Sequence, residues 1–258
     1  MRQVALCLMA HPDDCEFLAA GTLALLAERG WEIHIATSTP GDGGSATKNP
    51  IEIAAIRRGE NVQSASLIGA KYHCLELRDC HVTFDADSIR RAINLVRAIA
   101  PTLMITHCQQ DYMLDHEVTA QLARSASNAC VVPNCGNGPV VAGSSIPHLY
   151  YADPVGIIDH DGHTAKASVV VDITSVYEKK MAMICAHASQ RDWLKAHYGV
   201  DEYTRMLDEW STKRGVTAGV KRAEGFRQHR GYGYPSSCLI SSVLSSMIPT
   251  GSQKLAGG

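Results

Sequence analysis

The sequence predicts an α/β fold, a mostly parallel sheet with helices on both faces. Three observations carry this reading. Short apolar runs alternate with helical patterns through the first half of the chain. The first run, Val4 to Ala10, is apolar throughout, as in a strand buried in a sheet. With 258 residues, 45% of them hydrophobic and 19% charged, the chain has the size and balance of one large α/β domain or two small ones. We read one domain over 1–240 and a loosely held, Ser/Gly-rich tail over 241–258.

Each element has a local reason. Val4–Met9 forms strand one. Glu16–Glu28 is almost wholly apolar, a deeply packed helix that stops at Arg29-Gly30, with glycine closing its C-terminus. Trp31–Thr37 is strand two, followed by a Gly-rich loop, Pro40–Asn49. Asn49-Pro50 gives an N-cap and a proline at the first helical position, and that helix runs to about Ile68. Tyr72–Leu77 is strand three. Ile89, Ala92, Ile93, Val96 and Ile99 mark one face of the next helix, which Pro101 stops. Leu103–Thr106 is strand four. Asp115 is placed to cap a helix bearing Val118, Leu122 and Ala126. Further on, Val131–Ile146 reads as a surface excursion. His148–Ala152 and Ser168–Val171 read as strands, and Val176–Ala188 and Glu202–Arg214 as helices.

Strands alternating with helices predict right-handed crossovers. In the order 3-2-1-4, strands one and four are neighbours, and ligands bind at the carboxyl ends of such strands. Strand one exits into His11-Pro12-Asp13-Asp14, and strand four into His107, Asp111, Asp115 and His116. Two segments about 100 residues apart in the chain then flank one crevice. Zinc in a hydrolase takes three protein ligands and keeps one position for water, and His11, Asp14 and His116 could supply the three. Asp13 could take the proton from that water. The competing reading makes Asp13 or Asp14 a helix cap and His11 a core histidine, but a cap needs one Asp and no His.

These residues resemble a known family. Ala10-His-Pro-Asp-Asp-Cys-Glu-Phe, followed by Ala20-Gly-Thr-Leu, is similar to the opening of the LmbE/PIG-L zinc-dependent N-deacetylases. Arg57-Arg58-Gly59-Glu60 looks like its Arg-x-x-Glu helix, and Asp79 sits where the family has an Asp after strand three. Asp111-Tyr-Met-Leu-Asp-His116 resembles its Asp-Tyr-His-Pro-Asp-His motif, and His187-Ala-Ser-Gln190 its His-x-Ser-Gln. The landmarks span residues 4–190. The resemblance implies a Rossmann-like three-layer fold with Zn2+ on His11, Asp14 and His116 and Asp13 as general base. It also implies hydrolysis of the N-acyl, typically N-acetyl, group of an amino sugar or glycoconjugate, contacts from Arg57 and Asp79 to that substrate, and assembly as a homo-oligomer.

One departure matters. Met113 stands where the family has the histidine that steadies the tetrahedral oxyanion, and methionine donates no hydrogen bond. Losing one such donor costs about 100- to 1000-fold in rate. His107, His187, Tyr112 and Arg57 are the candidate substitutes. The alternatives are a catalytically weak or redirected metal-binding protein, or an amidase for a larger conjugate.

Other features exclude function classes. A net charge of −2 gives no basic footprint for nucleic acid. No apolar run nears the roughly 20 residues that span a bilayer. Nine cysteines without Cys-x-x-Cys favour a reducing cytoplasm over a zinc knuckle, and Cys130 and Cys135 flank Pro133 closely enough to pair. His34 and His73 read as sheet residues. His160-Asp-Gly-His163 reads as a tight turn before a second metal site. Gly41–Ser45 lacks both nucleotide-loop signatures and reads as a substrate-lining loop.

Overall fold

A computed structural model of the chain describes residues 3–141, 143–191 and 201–249. Seven strands form one sheet in the order β3-β2-β1-β4-β5-β7-β6. They are β1 (Val4–Met9), β2 (Glu32–Thr37), β3 (Lys71–Cys74), β4 (Leu103–Thr106), β5 (His148–Ala152), β6 (Val169–Asp172) and β7 (Ala223–Gln228). The first five pair in parallel, with β7 antiparallel to both β5 and β6. The helices are α1 (Asp14–Leu18), α2 (Ala20–Glu28), α3 (Pro50–Ser66), α4 (Ala86–Ile99), α5 (Leu114–Ala129), α6 (Tyr177–Cys185), α7 (Glu202–Ala218) and α8 (Leu239–Val243).

Every residue of β1 is buried, and alternate side chains feed two cores. Ala5, Cys7 and Met9 pack with residues of α1, α2 and α6, while Val4, Leu6 and Leu8 pack with α4 and α5. This is the three-layer α/β arrangement, and it explains why β1 is apolar throughout instead of alternating. Asn49 caps α3 in a full capping box with Glu52, and Pro50 opens the helix. Among the described residues no helix is long and apolar enough to cross a membrane.

Several expectations are corrected. The helix expected over Glu16–Glu28 is two helices, parted at Ala19 (φ −145°). The break frees the start of α2, where the Gly21 and Thr22 amides each donate to the Glu224 carboxylate at 2.8 Å. β3 ends at Cys74 because Glu76 turns to a left-handed φ of 56°. β7 has no counterpart in the expected elements. Its Glu224 is buried, so it breaks the apolar pattern by which a central strand is recognised. Asp115 does not cap α5, because Met113 holds the cap position. Ile240 and Leu244 are fully buried in the α2-side core. Residues 250–258 lie outside the described residues. Cys130 and Cys135 are both free thiols, one buried and one exposed.

Candidate metal centre

Leu8 of β1 lies opposite Thr106 of β4, so the two strands exit side by side. The Ala10 amide reaches His107 Nε2 at 2.9 Å, stitching the exits together. His11 is held by its own amide, which donates to Asp14 Oδ2 at 2.7 Å. His11 Nδ1 then lies 3.4 Å from Asp14 Oδ2, and His116 Nε2 lies 3.5 Å from Asp14 Oδ1. One ligand atom from each of His11, Asp14 and His116 falls within 4.8 Å of the other two, and all three residues are buried. Two imidazoles and a carboxylate at this spacing form a donor set for a divalent cation.

Carboxylates back both imidazoles. His11 Nε2 lies 3.1 Å from Asp79 Oδ1 and 3.2 Å from Asp115 Oδ2. His116 Nδ1 lies 3.1 Å from Asp111 Oδ1. Acids in these places fix the ring orientation and leave the opposite nitrogen for a metal. Each acid is itself held. Asp115 accepts from the Cys80 and Val82 amides, Asp79 from the Gly43 amide, and Asp111 from the Tyr112 and Val155 amides.

Charge follows the geometry. Burial opposes protonation of His11, but Asp115, Asp14 and Asp79 outweigh it and raise its pKa well above the usual imidazole range. His116 is raised as well, by Asp14 and Asp111 against burial. Asp14 is pushed well below the carboxylate range, because His116, His107 and His11 overcome its burial. Asp79 drops to about 2, its burial outweighed chiefly by His11.

Asp13 occupies the N-cap position of α1 but its side chain makes no capping bond. It is a non-glycine residue in the left-handed region, φ 103°. Its Oδ2 accepts from Arg57 Nη2 at 3.3 Å and from the Tyr203 hydroxyl in a short hydrogen bond. Burial raises its pKa, against the lowering pull of Arg57 and His187. The two adjacent carboxylates are thus pushed in opposite directions.

Arg57 and Asp79 are brought to the site, but both are engaged with its frame. Arg57 Nη2 donates to Pro12 O at 2.7 Å and Nη1 to Gly41 O at 3.3 Å, and the residue is buried. Gly41 has φ 73°, and any Cβ there would lie 2.4 Å from Arg57 Nη1, so the loop needs glycine at that point. The candidate oxyanion donors separate clearly. His107 is fully buried, stacked on His116 at 3.9 Å. His187 is fully buried with Nε2 3.3 Å from Glu16. Tyr112 alone of the four is exposed, its ring edge-on to His116 at 5.3 Å. The two weaker motifs meet in space, since Ser189 donates from its amide and its hydroxyl to the Glu60 carboxylate, each at 2.7 Å. Asp159–His163 is a turn with Gly162 at φ 83°, and Asp159, Asp161 and His163 lie close together there.

Sequence reasoning did not single out Tyr203 or Glu16. Glu16 is fully buried, bonded by Ser64 and facing His187, and Tyr203 lies 190 residues from Asp13.

Comparison with known proteins agrees with this architecture. The family described as PIG-L, GlcNAc-PI de-N-acetylase, matches residues 6–127, which contain His11, Asp14 and His116. The chain is 27% identical over 263 residues to a 4-oxalmesaconate hydratase of Pseudomonas putida, covering 98% of this chain and 92% of the relative. It is 27% identical over 194 residues to a diacetylchitobiose deacetylase of Thermococcus kodakarensis, covering 72% and 69%. Among solved structures, the N,N'-diacetylchitobiose deacetylase of Pyrococcus horikoshii superposes with a TM-score of 0.74 at 26% identity, over 92% of this chain and 87% of that one. With that fold and the paired motifs at the exits of β1 and β4, residues 6–127 of this chain are similar to a PIG-L/LmbE-family domain.

Proposed function

We propose that the protein is a zinc-dependent N-deacetylase that hydrolyses the acyl amide of a neutral amino sugar or glycoconjugate. The observation that carries the reading is the pairing of the His11, Asp14, His116 donor set with an adjacent carboxylate, Asp13, that neither caps a helix nor joins the set. A zinc ion on those three residues would polarise an acyl oxygen and lower the pKa of a water towards roughly 7. Asp13 takes a proton from the attacking water and returns it to the leaving nitrogen, so the amine departs neutral. Asp79, Asp111 and Asp115 hold the two imidazoles in place. Arg57 steadies the backbone at Pro12, and Tyr112, on the open side, faces the acyl oxygen in place of the absent histidine.

The charge balance favours an uncharged substrate. Asp13, Asp14, Asp79, Asp111 and Asp115 gather here, and Arg57 is turned onto Asp13. Like charge at such a site repels a polycarboxylate. A second reading, hydration of an unsaturated acid, draws on Met113 and on the relative that matches 98% of the chain. Adding water across a double bond expels no amine, and the same Asp13 would serve.

The test is metal analysis with paired assays. Purified protein should hold about one zinc per chain, lost in His11→Ala with His116→Ala. Asp13→Asn should keep its zinc and lose about 100- to 10,000-fold of amine release from N,N'-diacetylchitobiose or a related N-acetylated sugar. Full zinc content in the double variant, or undiminished turnover in Asp13→Asn, would end the reading. Loss of ultraviolet absorbance from 4-oxalmesaconate, with no amine release from the N-acetylated sugars, would select the hydratase reading.

A further inference from the structure

Asp13 has two carboxylate oxygens in different circumstances. Oδ2 takes both the Tyr203 hydroxyl and Arg57 Nη2. Oδ1 has no partner among the described residues, while the side chain keeps 13% exposure. The ring of Tyr203 is buried with Ile184 and Leu207 at the junction of α6 and α7, edge-on to Phe17 at 5.1 Å. Phe17 donates its own amide to Asp13 O, so Asp13 and the residue that braces Tyr203 belong to one turn. The hydroxyl is the only polar atom of that ring, and it is spent on Asp13. The backbone there is strained, since a left-handed φ in a non-glycine residue persists only where its surroundings hold it.

We propose that Tyr203 is a positioning residue for the water-activating carboxylate: with Arg57 it pins Asp13 Oδ2 and leaves Oδ1 as the oxygen presented to water. This rests on the deacetylase reading in taking Asp13 as the base. The proton moves from water to Oδ1, while the Tyr203 proton stays on its hydroxyl and is consumed in no step. An element from the far end of the chain, α7, thereby completes a site whose metal ligands all lie between residues 11 and 116.

A double-mutant cycle with Tyr203→Phe and Asp13→Asn tests this. Phenylalanine keeps the packed ring, and asparagine tolerates the left-handed backbone. With N,N'-diacetylchitobiose as probe, Tyr203→Phe should lower kcat about 10- to 100-fold, with KM within about twofold and zinc content unchanged. In the Asp13→Asn background the same substitution should cost nothing further. An unchanged kcat, or an equal loss in both backgrounds, overturns the proposal and leaves the deacetylase reading intact. Full activity in Asp13→Asn alone removes both. A crystal structure of metal-free Tyr203→Phe needs no substrate. The Asp13 carboxylate should rotate away from its wild-type orientation or split into two conformers, and an unmoved carboxylate overturns the proposal.

Discussion

Asp13 and Asp14 are neighbours in the chain with opposite electrostatic settings, and three further acids explain how that is kept stable. Asp79 and Asp115 meet His11 from the side away from Asp14, and Asp111 does the same for His116. The imidazoles are therefore oriented before any cation arrives. Asp115→Ala should weaken zinc binding about 10- to 100-fold, measured by competition with a chromophoric chelator, without removing a ligand. Unchanged affinity would mean that the backbone alone orients His11. The meeting of His11, Asp14 and His116 was legible because His11-Pro-Asp-Asp14 is local and because Asp111–His116 follows the neighbouring strand. The approach of Asp79 to His11 was not, since it depends on a loop returning to β1. Tyr203 was also hidden, because a tyrosine in an amphipathic helix reads as core and nothing local ties it to residue 13.

At the scale of elements, the least legible part was the far side of the sheet. Glu224 of β7 accepts from the Gly21 and Thr22 amides, the Thr22 hydroxyl and Lys180 Nζ, the last at 2.7 Å. Lys180 on α6 also donates to Phe17 O at 2.9 Å. One buried carboxylate thus meets the first amides of α2 and holds Lys180 of α6, which in turn reaches α1, over a separation of 203 residues that no local pattern reveals. Those amides are free to donate because Ala19 parts the single expected helix into two. Both side chains are almost wholly buried, so removing one partner leaves an uncompensated charge. Lys180→Met should cost about 3–5 kcal/mol in urea unfolding. A much smaller loss would mean that water reaches Glu224. A reduction in turnover beyond the stability loss is also expected, since the bond to Phe17 O steadies the turn carrying Asp13.

For the whole molecule, the strand order was legible because crossover handedness leaves few arrangements for alternating strands and helices, and β1 beside β4 is the arrangement found. That adjacency makes a bound cation a tie between two layers of the chain, because His11 follows β1 and His116 belongs to α5. Zinc should therefore stabilise the fold by about 2.7 kcal/mol at a free concentration 100 times its Kd, and the gain should vanish in the His11→Ala, His116→Ala variant. The pH dependence has a definite sign. Without metal, both imidazoles have raised pKa values, so their contribution is complete below about 6.5, the unfolded value, and is lost as pH climbs through the folded values. Zinc requires the neutral rings and releases protons on binding, so its affinity rises over the same interval. The melting temperature of metal-free protein should fall between pH 6 and pH 8, while the shift produced by a fixed zinc concentration grows. A shift of equal size at both pH values would place the bound ion away from His11 and His116.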